Sequence, residues 1–199
     1  MARTSAPAGL LLFPGSGSAS DHPSLIAIEH ALAPLPVRRA DFEYRLAGKR
    51  APDRAPKLLA RVRACAREFA DELGVPTSRI VLGGRSMGGR MCSMVAAGVP
   101  DVDGEPALPV RGLIMVSYPL HPPAKPENLR VEHLPRVTVP SLFVSGTKDD
   151  FGSPDELRRW TSTIPGAVTH EFIENGRHDL KNKDAVIAGL ITDWMASLR

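Results

Sequence analysis

The sequence has little cysteine, few aromatic residues and no long hydrophobic run, and each shortage excludes a class of protein. Its two cysteines, Cys65 and Cys92, fall in helical patterns and form neither a disulfide framework nor a metal-binding spacing. Aromatic residues make up 5% of the chain, too few for a long stacking platform. The first apolar run, residues 10–13, is too short for a signal-peptide core or a membrane span. We therefore expect a cytoplasmic protein with buried free thiols.

An excess of charge of one sign is also missing. The chain carries 25 Lys and Arg against 22 Asp and Glu, a net charge of +3, and the two signs are interleaved without a basic block. A nucleic-acid binder usually clusters its basic side chains on one face. The sequence therefore predicts a small-molecule substrate rather than a nucleic-acid or membrane partner, and no pattern in it sets an oligomeric state.

What the sequence does contain is an alternation of short apolar runs with helical patterns, without an internal repeat or linker. This alternation predicts one doubly wound α/β domain over residues 1–199, with a mostly parallel six-stranded sheet and helices on both faces. The run at 37–42 is more polar and alternates, which is typical of an edge strand. The six predicted strands cover residues 9–13, 37–42, 79–82, 113–116, 142–145 and 168–173.

Helical patterns fill the intervals between the apolar runs. Apolar residues from 58 to 73 recur at helical spacing behind Pro56, and a second apolar stripe over 187–198 predicts the last helix. Ser153 and Glu156 have the spacing of a capping box at the start of another helix. Ligands of such sheets bind beyond the carboxyl ends of the strands, so the residues that follow the strands are the candidates for function.

A Gly-x-Ser-x-Gly pattern, from Gly84 to Gly88 with Ser86 at its centre, follows the third predicted strand. A helix-compatible segment, 91–97, comes next, so the pattern has the strand–turn–helix context of a nucleophile elbow. The two glycines leave room for backbones to cross, and a helix start favours developing negative charge. One alternative is a glycine-rich turn without chemistry. Another is a phosphate-binding loop, but the usual Gly-Lys-Ser/Thr ending is missing.

A serine hydroxyl is a poor nucleophile without a base. Among six histidines, His178 is the predicted base, because it lies in a loop between the sixth strand and the last helix. His22 and His121 are predicted to line the pocket. His30 falls on a helix and His170 inside a strand, which favours structural roles for both, and His133 lies in a polar connection.

The base in turn needs an acid that orients it. Asp149 and Asp150 both follow the fifth strand and compete for this role. We favour Asp149, which leaves Asp150 as a solvated turn carboxylate. Asp179 is adjacent to the base in sequence and is interpreted as a helix-start residue. The resulting chain order of serine, aspartate and histidine is the order found in α/β-hydrolases.

The loop after the first strand, residues 14–18, is the candidate oxyanion loop. In this kind of fold that loop supplies one backbone N–H, and the residue after the nucleophile, here Met87, supplies the other. Pro14 has no N–H to donate, so Ser16 is the predicted donor, with Gly17 second. The small residues, Gly15 among them, let the backbone approach a substrate. The alternative is a plain Gly/Ser turn.

Five motifs carry a resemblance to the α/β-hydrolase superfamily that covers nearly the whole chain. The sequence is most similar to the small dienelactone-hydrolase-like branch, and within it to the subgroup of testis-expressed and NSL-complex-subunit proteins and their bacterial relatives. The resemblance implies a minimal fold without a large lid. Pro14 stands where many hydrolases carry histidine, and Ser86 stands where dienelactone hydrolase uses cysteine. The motifs are GGRSMGGR at 83–90, SYPLHPP at 117–123, LFVSGTKD at 142–149, DFEYR at 41–45 and GKRAPD at 48–53.

The connection after the fourth strand bears on the substrate, because lids usually enter there. The segment 119–137 is short and proline-rich, so we expect an open, shallow site that does not suit long-chain lipids. Arg85 and Arg90 either attract an anionic substrate or, as we favour, pair with carboxylates such as Glu43 or Asp53. The predicted pocket residues are Gly15, Gly17, His22, Arg85, Tyr118, Leu120 and His121, with Ser16 at the wall.

These residues together predict a serine hydrolase that cleaves a small ester or related acyl substrate. Ser86, His178 and Asp149 form its catalytic triad, and Ser16 and Met87 form its oxyanion hole. No metal or organic cofactor is implied. A thioesterase or peptidase is a variant of this hypothesis. The alternative from another class is a non-catalytic interaction module on the same fold, since a fold does not determine function.

Overall fold

Six parallel strands form one sheet in the computed structural model, which describes residues 6–198. The spatial order β2-β1-β3-β4-β5-β6 places the switch in winding direction between β1 and β3. The fold class predicted from the sequence is therefore confirmed, with a sheet that is parallel throughout. The strands are β1 Gly9–Phe13, β2 Val37–Arg39, β3 Ile80–Arg85, β4 Gly112–Val116, β5 Ser141–Gly146 and β6 Val168–Ile173.

Helices cover both faces of this sheet. The first and last helices pack against each other on one face, and the remaining helices lie on the opposite face. Two short 3₁₀ turns, Thr77–Arg79 and Leu134–Arg136, join other segments. The helices are α1 Pro23–Leu32, α2 Glu43–Leu46, α3 Ala55–Glu72, α4 Met87–Ala96, α5 Pro154–Thr161 and α6 Asp184–Ser197.

Strand β1 illustrates why the apolar runs are continuous. Leu10 and Leu12 point into the core beneath α1 and α6, whereas Leu11 and Phe13 point into the core beneath α3 and α4. All four side chains are fully buried. A strand covered on both faces needs apolar side chains on both, so it reads as a run without alternation.

Four predicted strands differ from the structure in their bounds: β4 by one residue at its start, β5 by one residue at each end, and β2 and β3 by more. Strand β3 extends past residue 82 to Arg85, and Gly83 and Gly84 pair with both β1 and β4. Glycine has no apolar side chain, so the hydrophobic pattern ends before the strand does. Strand β2 ends at Arg39 rather than at 42, and Phe42 is buried because its ring packs 4.9 Å from that of Phe13.

The connection between β4 and β5 determines how open the site is. Within residues 117–140 the 3₁₀ turn Leu134–Arg136 is the only helical segment, so a large helical lid is absent there, as predicted. The capping box at Ser153 is also confirmed, because Ser153 Oγ accepts from the Glu156 N–H while the Glu156 carboxylate accepts from the Ser153 N–H. Within residues 6–198 no helix is long and apolar enough to cross a membrane.

Candidate active site

Ser86 occupies a sharp turn between β3 and α4, with φ of 47° and ψ of −115°. A positive φ is strained for a residue with a side chain, and it lifts the hydroxyl clear of the sheet edge. The Ser86 N–H donates to the Val116 carbonyl at 2.8 Å, which ties the turn to β4. A Cβ on Gly84 would overlap the Phe13 carbonyl oxygen, and one on Gly88 would overlap the same atom. Both glycines are therefore needed where the chain crosses the end of β1.

Ser86, His178 and Asp149 form a continuous chain of hydrogen bonds. Ser86 Oγ lies 2.9 Å from His178 Nε2, and His178 Nδ1 lies 2.9 and 3.0 Å from the two Asp149 carboxylate oxygens. A carboxylate only accepts, so Nδ1 carries the proton and Nε2 is left to accept from the serine hydroxyl. Asp149 is 6% exposed, whereas the neighbouring Asp150 is exposed and forms no hydrogen bond or ion pair with His178 among the described residues.

The loops that carry the acid and the base are joined by their backbones. The Lys148 N–H donates to the Gly176 carbonyl at 2.8 Å, and the Thr147 N–H donates to the Ile173 carbonyl at 3.0 Å. Gly146 ends β5 so close to Gly176 that a side chain on Gly146 would overlap its carbonyl. This close approach is what brings the end of β5 to the loop after β6.

Phe151 holds both members of the acid–base pair, and the sequence analysis did not single it out. Its backbone N–H donates to Asp149 Oδ1 at 2.9 Å. Its ring stacks on the His178 imidazole with centroids 3.9 Å apart and planes inclined by 27°. The sequence feature that could have identified Phe151 is its position two residues after Asp149, because an aspartate often accepts a hydrogen bond from the backbone N–H two residues later.

Arg85 is buried and stabilises the loop that carries His178. Its guanidinium donates to the carbonyls of His178 at 3.2 Å and Asp179 at 2.9 Å, and it lies 3.4 Å from Ser24 Oγ. Burial lowers its pKa, against the attraction of acidic groups such as Asp184. The favoured interpretation of a bracing role holds, but its partners are backbone carbonyls. The predicted partners pair elsewhere, Glu43 with Arg61 and Asp53 with Lys57.

His22 caps the first helix and lines the same cavity. Its Nδ1 accepts from the Ser24 N–H at 3.2 Å and lies 2.9 Å from Ser24 Oγ. Burial and the nearby Arg85 lower its pKa, so the ring is neutral near pH 7. With Nδ1 accepting, the proton is on Nε2, which leaves a neutral donor at the wall of the cavity.

The loop after β1 lies directly against the serine. A Cβ built on Gly15 would stand 3.6 Å from Ser86 Cβ, and Gly15, Ser16 and Gly17 all line the cavity. The buried Tyr44 hydroxyl donates to the Ser16 carbonyl at 2.9 Å, which fixes the orientation of the peptide group between Ser16 and Gly17. Met87 is the first residue of α4, where backbone N–H groups have no partner within the helix.

The cavity next to Ser86 has a volume of about 470 Å³. Three of the predicted pocket residues do not line it. Tyr118 is buried with its hydroxyl donating to the Arg130 carbonyl at 2.7 Å, and Leu120 packs against Gly152. His121 is buried with Nε2 lying 3.5 Å from a Glu156 carboxylate oxygen. These side chains turn inward because the segment after β4 packs onto the core.

Several cavity residues were absent from the predicted pocket, although Arg90 had been considered as a residue that attracts an anionic substrate. From the segment after β4 only Pro119 and Arg130 face the cavity, and Arg90 enters it from the first turns of α4. Ser18, Phe151 and Asp179 complete this set, and Asp179 had been interpreted as a helix-start residue. Within residues 6–198 no group of three or more His, Cys, Asp or Glu side chains is arranged to hold a metal ion.

Several solved structures share this fold. Est1E from Butyrivibrio proteoclasticus is 14% identical with a TM-score of 0.72, and the match covers 98% of this chain and 89% of that one. A serine hydrolase homologue from Coxiella burnetii is 16% identical with a TM-score of 0.70, over 96% and 86%. Dienelactone hydrolase from Anabaena variabilis is 17% identical with a TM-score of 0.67, over 96% and 87%. Identities this low establish likeness of fold alone.

Sequence similarity to a whole family is the stronger finding. A model of the family described as "Alpha/beta hydrolase domain" matches residues 6–190. The matched range contains all six strands, the elbow at Ser86 and the loops that carry Asp149 and His178. This chain therefore belongs to the α/β-hydrolase domain family.

Proposed function

We propose that the protein is a serine hydrolase that cleaves a small ester or related acyl compound through an acyl-enzyme. The observation that carries this proposal is the unbroken hydrogen-bond chain from Ser86 Oγ through His178 to Asp149, with distances of 2.9, 2.9 and 3.0 Å. Solved relatives of the fold whose names include esterase, lipase and dienelactone hydrolase support an ester as the substrate.

In the first half of the reaction Ser86 Oγ bonds to the carbonyl carbon while its proton passes to His178 Nε2. The carbonyl π electrons move to oxygen, and the resulting oxyanion accepts hydrogen bonds from the backbone N–H groups of Met87 and Ser16. Collapse of this intermediate breaks the acyl–oxygen bond. The imidazolium gives its proton to the departing alcohol, and the acyl group stays on the serine.

Water completes the cycle. His178 Nε2 takes a proton from a water molecule whose oxygen bonds to the acyl carbon, and the proton returns to Ser86 Oγ as the acid leaves. Asp149 keeps the histidine in its Nδ1–H tautomer and stabilises the imidazolium. Phe151 and Arg85 act as positioning residues in this scheme, because one packs on the imidazole and the other holds the backbone of its loop.

The finer sequence-based hypotheses belong to the same proposal. The motifs at 83–90, 117–123 and 142–149 support membership of the testis-expressed and NSL-complex-subunit-like subgroup. One domain over residues 1–199, a cytoplasmic setting and a substrate other than nucleic acid or lipid membrane stay predictions from the sequence.

A fluorophosphonate probe followed by intact mass measurement tests the proposal. We expect a single adduct on the wild-type protein and none on Ser86→Ala. Ser162→Ala is the matched control, because Ser162 is an exposed serine on the far end of α5, and it should be labelled like the wild type. Labelling that persists in Ser86→Ala would overturn the assignment of the nucleophile. A folded wild-type protein that neither reacts with the probe nor hydrolyses esters would instead be the non-catalytic module.

A further inference from the structure

Two arginines share the cavity with Ser86 and reach it from different parts of the chain. Arg90 lies one turn into α4, and Arg130 lies in the connection between β4 and β5. The position of Arg130 is built into the fold, because its carbonyl accepts from the buried Tyr118 hydroxyl at 2.7 Å and its N–H donates to the Leu120 carbonyl at 2.9 Å. Long-range packing therefore brings the two arginines to the lining of one cavity.

Neither arginine pairs with a carboxylate within residues 6–198. Arg90 has its Nε buried without an acceptor, and its guanidinium makes no hydrogen bond among the described residues. Arg130 makes one long bond, from Nη1 to the Pro119 carbonyl at 3.3 Å. Many other arginines of the chain are paired with acidic side chains; they include Arg39, Arg61, Arg63 and Arg67.

No carboxylate is paired with either arginine among the described residues; Asp179, the carboxylate outside the triad that lines the same cavity, acts on Arg85. Burial, and then the charge of Arg90, lower the pKa of the Arg130 guanidinium, and only the Tyr118 hydroxyl acts in the opposite direction. The acidic residues nearest in the chain, Glu127 and Glu132, are exposed and form no ion pair with either arginine. Two like charges in a partly buried cavity destabilise each other, and an anion between them would remove that cost.

We propose that Arg90 and Arg130 form an anion-binding subsite of the Ser86 cavity, and that the natural substrate is a small ester bearing an anionic oxygen group such as a carboxylate. This inference rests on the proposed hydrolase function and names its substrate class. Planar guanidinium groups bind such oxygens through two parallel hydrogen bonds, and they stay charged at every physiological pH. The cavity of about 470 Å³ limits the substrate to a small molecule.

Ester pairs with and without a free carboxylate test the subsite. The charge is on the alcohol side in 4-acetoxybenzoate and absent in methyl 4-acetoxybenzoate; it is on the acyl side in monomethyl adipate and absent in methyl hexanoate. We expect the wild-type kcat/KM to favour the anionic member of at least one pair by about 10- to 100-fold. Rising salt should reduce this preference, because part of it comes from attraction between charges.

The variants are Arg90→Gln, Arg130→Gln and the double substitution. Each single change should reduce the preference for the anionic ester, and the double change should abolish it. Arg159→Gln, which removes an exposed charge on α5 outside the cavity, should leave the preference unchanged. Because the two cavity charges repel, the double variant should unfold at the same temperature as the wild type or above it. If the two arginines had only a structural role, the double substitution would instead lower the unfolding temperature and leave the preference for the anionic ester unchanged.

A binding measurement separates this proposal from the proposed function. On a Ser86→Ala background, calorimetry should detect 4-acetoxybenzoate binding that weakens at least 10-fold when Arg90 and Arg130 are also replaced. If the wild-type protein hydrolysed the neutral and the anionic esters equally well, the subsite would be wrong and the proposed hydrolase function would still stand. A wild-type protein inert toward every ester and toward the fluorophosphonate, yet still binding the anion through the arginines, would overturn the hydrolase alone.

Discussion

His133 should make the protein acid-labile. Its side chain is 3% exposed, and its Nε2 lies 2.8 Å from Ser93 Oγ on α4. Ser93 Oγ donates its own proton to the Arg90 carbonyl at 2.8 Å, so the neutral imidazole is the donor to that oxygen. Burial, with the charges of Arg90 and Arg136, lowers the pKa of His133 to about 3. The His133 imidazole is therefore much harder to protonate in the folded protein than in the unfolded chain.

The magnitude follows from the two pKa values. In the unfolded chain His133 titrates at about 6.5, so the free energy of unfolding is unaffected by this residue above that pH and falls as the pH drops from about 6.5 toward about 3. At pH 4.5 only the unfolded state is substantially protonated. The difference corresponds to about 3 kcal/mol of lost stability relative to pH 7. Such a loss is a large fraction of the stability of a typical domain.

Urea unfolding at pH 7 and pH 4.5 measures this loss. His133→Gln keeps an amide donor at the position of Nε2 but cannot take up a proton. We expect its stability to fall by about 3 kcal/mol less than that of the wild type between the two pH values. The control His30→Gln removes an exposed histidine on α1 and should behave like the wild type. Equal pH dependence in His133→Gln and the wild type would refute the reasoning.

Three further outcomes are expected. Asp149→Asn should lower kcat by about 10⁴-fold with little change in KM, because His178 would adopt the wrong tautomer, and Asp150→Asn should do far less; steady-state kinetics that reversed this order would make Asp150 the acid. Tyr44→Phe removes the hydroxyl that holds the Ser16–Gly17 peptide group, next to the Ser16 N–H, and should lower kcat about three- to tenfold at nearly constant KM; an unchanged kcat would show that this hydrogen bond does not support the oxyanion hole. Among 4-nitrophenyl esters, acyl chains of two to four carbons should be cleaved best and chains beyond about eight poorly; a steady rise in kcat/KM to long chains would indicate a tunnel.

Local patterns were sufficient to predict most of the architecture. Strands β1 and β6 have the predicted bounds, Gly9–Phe13 and Val168–Ile173. A strand that is buried on both faces requires a continuous apolar run, and a half-buried strand requires alternating residues, so both can be recognised in the sequence. The cap at Ser153 was predictable for a similar reason, since its hydrogen bonds span three residues. The end of β3 was not, because Gly83 and Gly84 have no side chain to signal that they pair with both neighbours.

The composition of the candidate site was also open to sequence reasoning. Parallel strands bring their carboxyl ends to one edge of the sheet, so the residues that follow β3, β5 and β6 have to meet there. Ser86, Asp149 and His178 were predicted on that basis, and the structure places them within hydrogen-bond distance of one another. Their catalytic roles stay predictions until the variants are measured.

The sequence by itself thus determined the strand order along the chain, the elbow and the residue types at the carboxyl edge, because these depend on interactions over a few residues. Only the tertiary structure decided that Arg85 braces the histidine loop, that Phe151 stacks on His178, and that Arg90 and Arg130 line one cavity. Such contacts join side chains that are tens of residues apart, and no local periodicity encodes which of them will be neighbours. Their energies are set by burial and by the nearest opposite charge, and both exist only once the chain has packed.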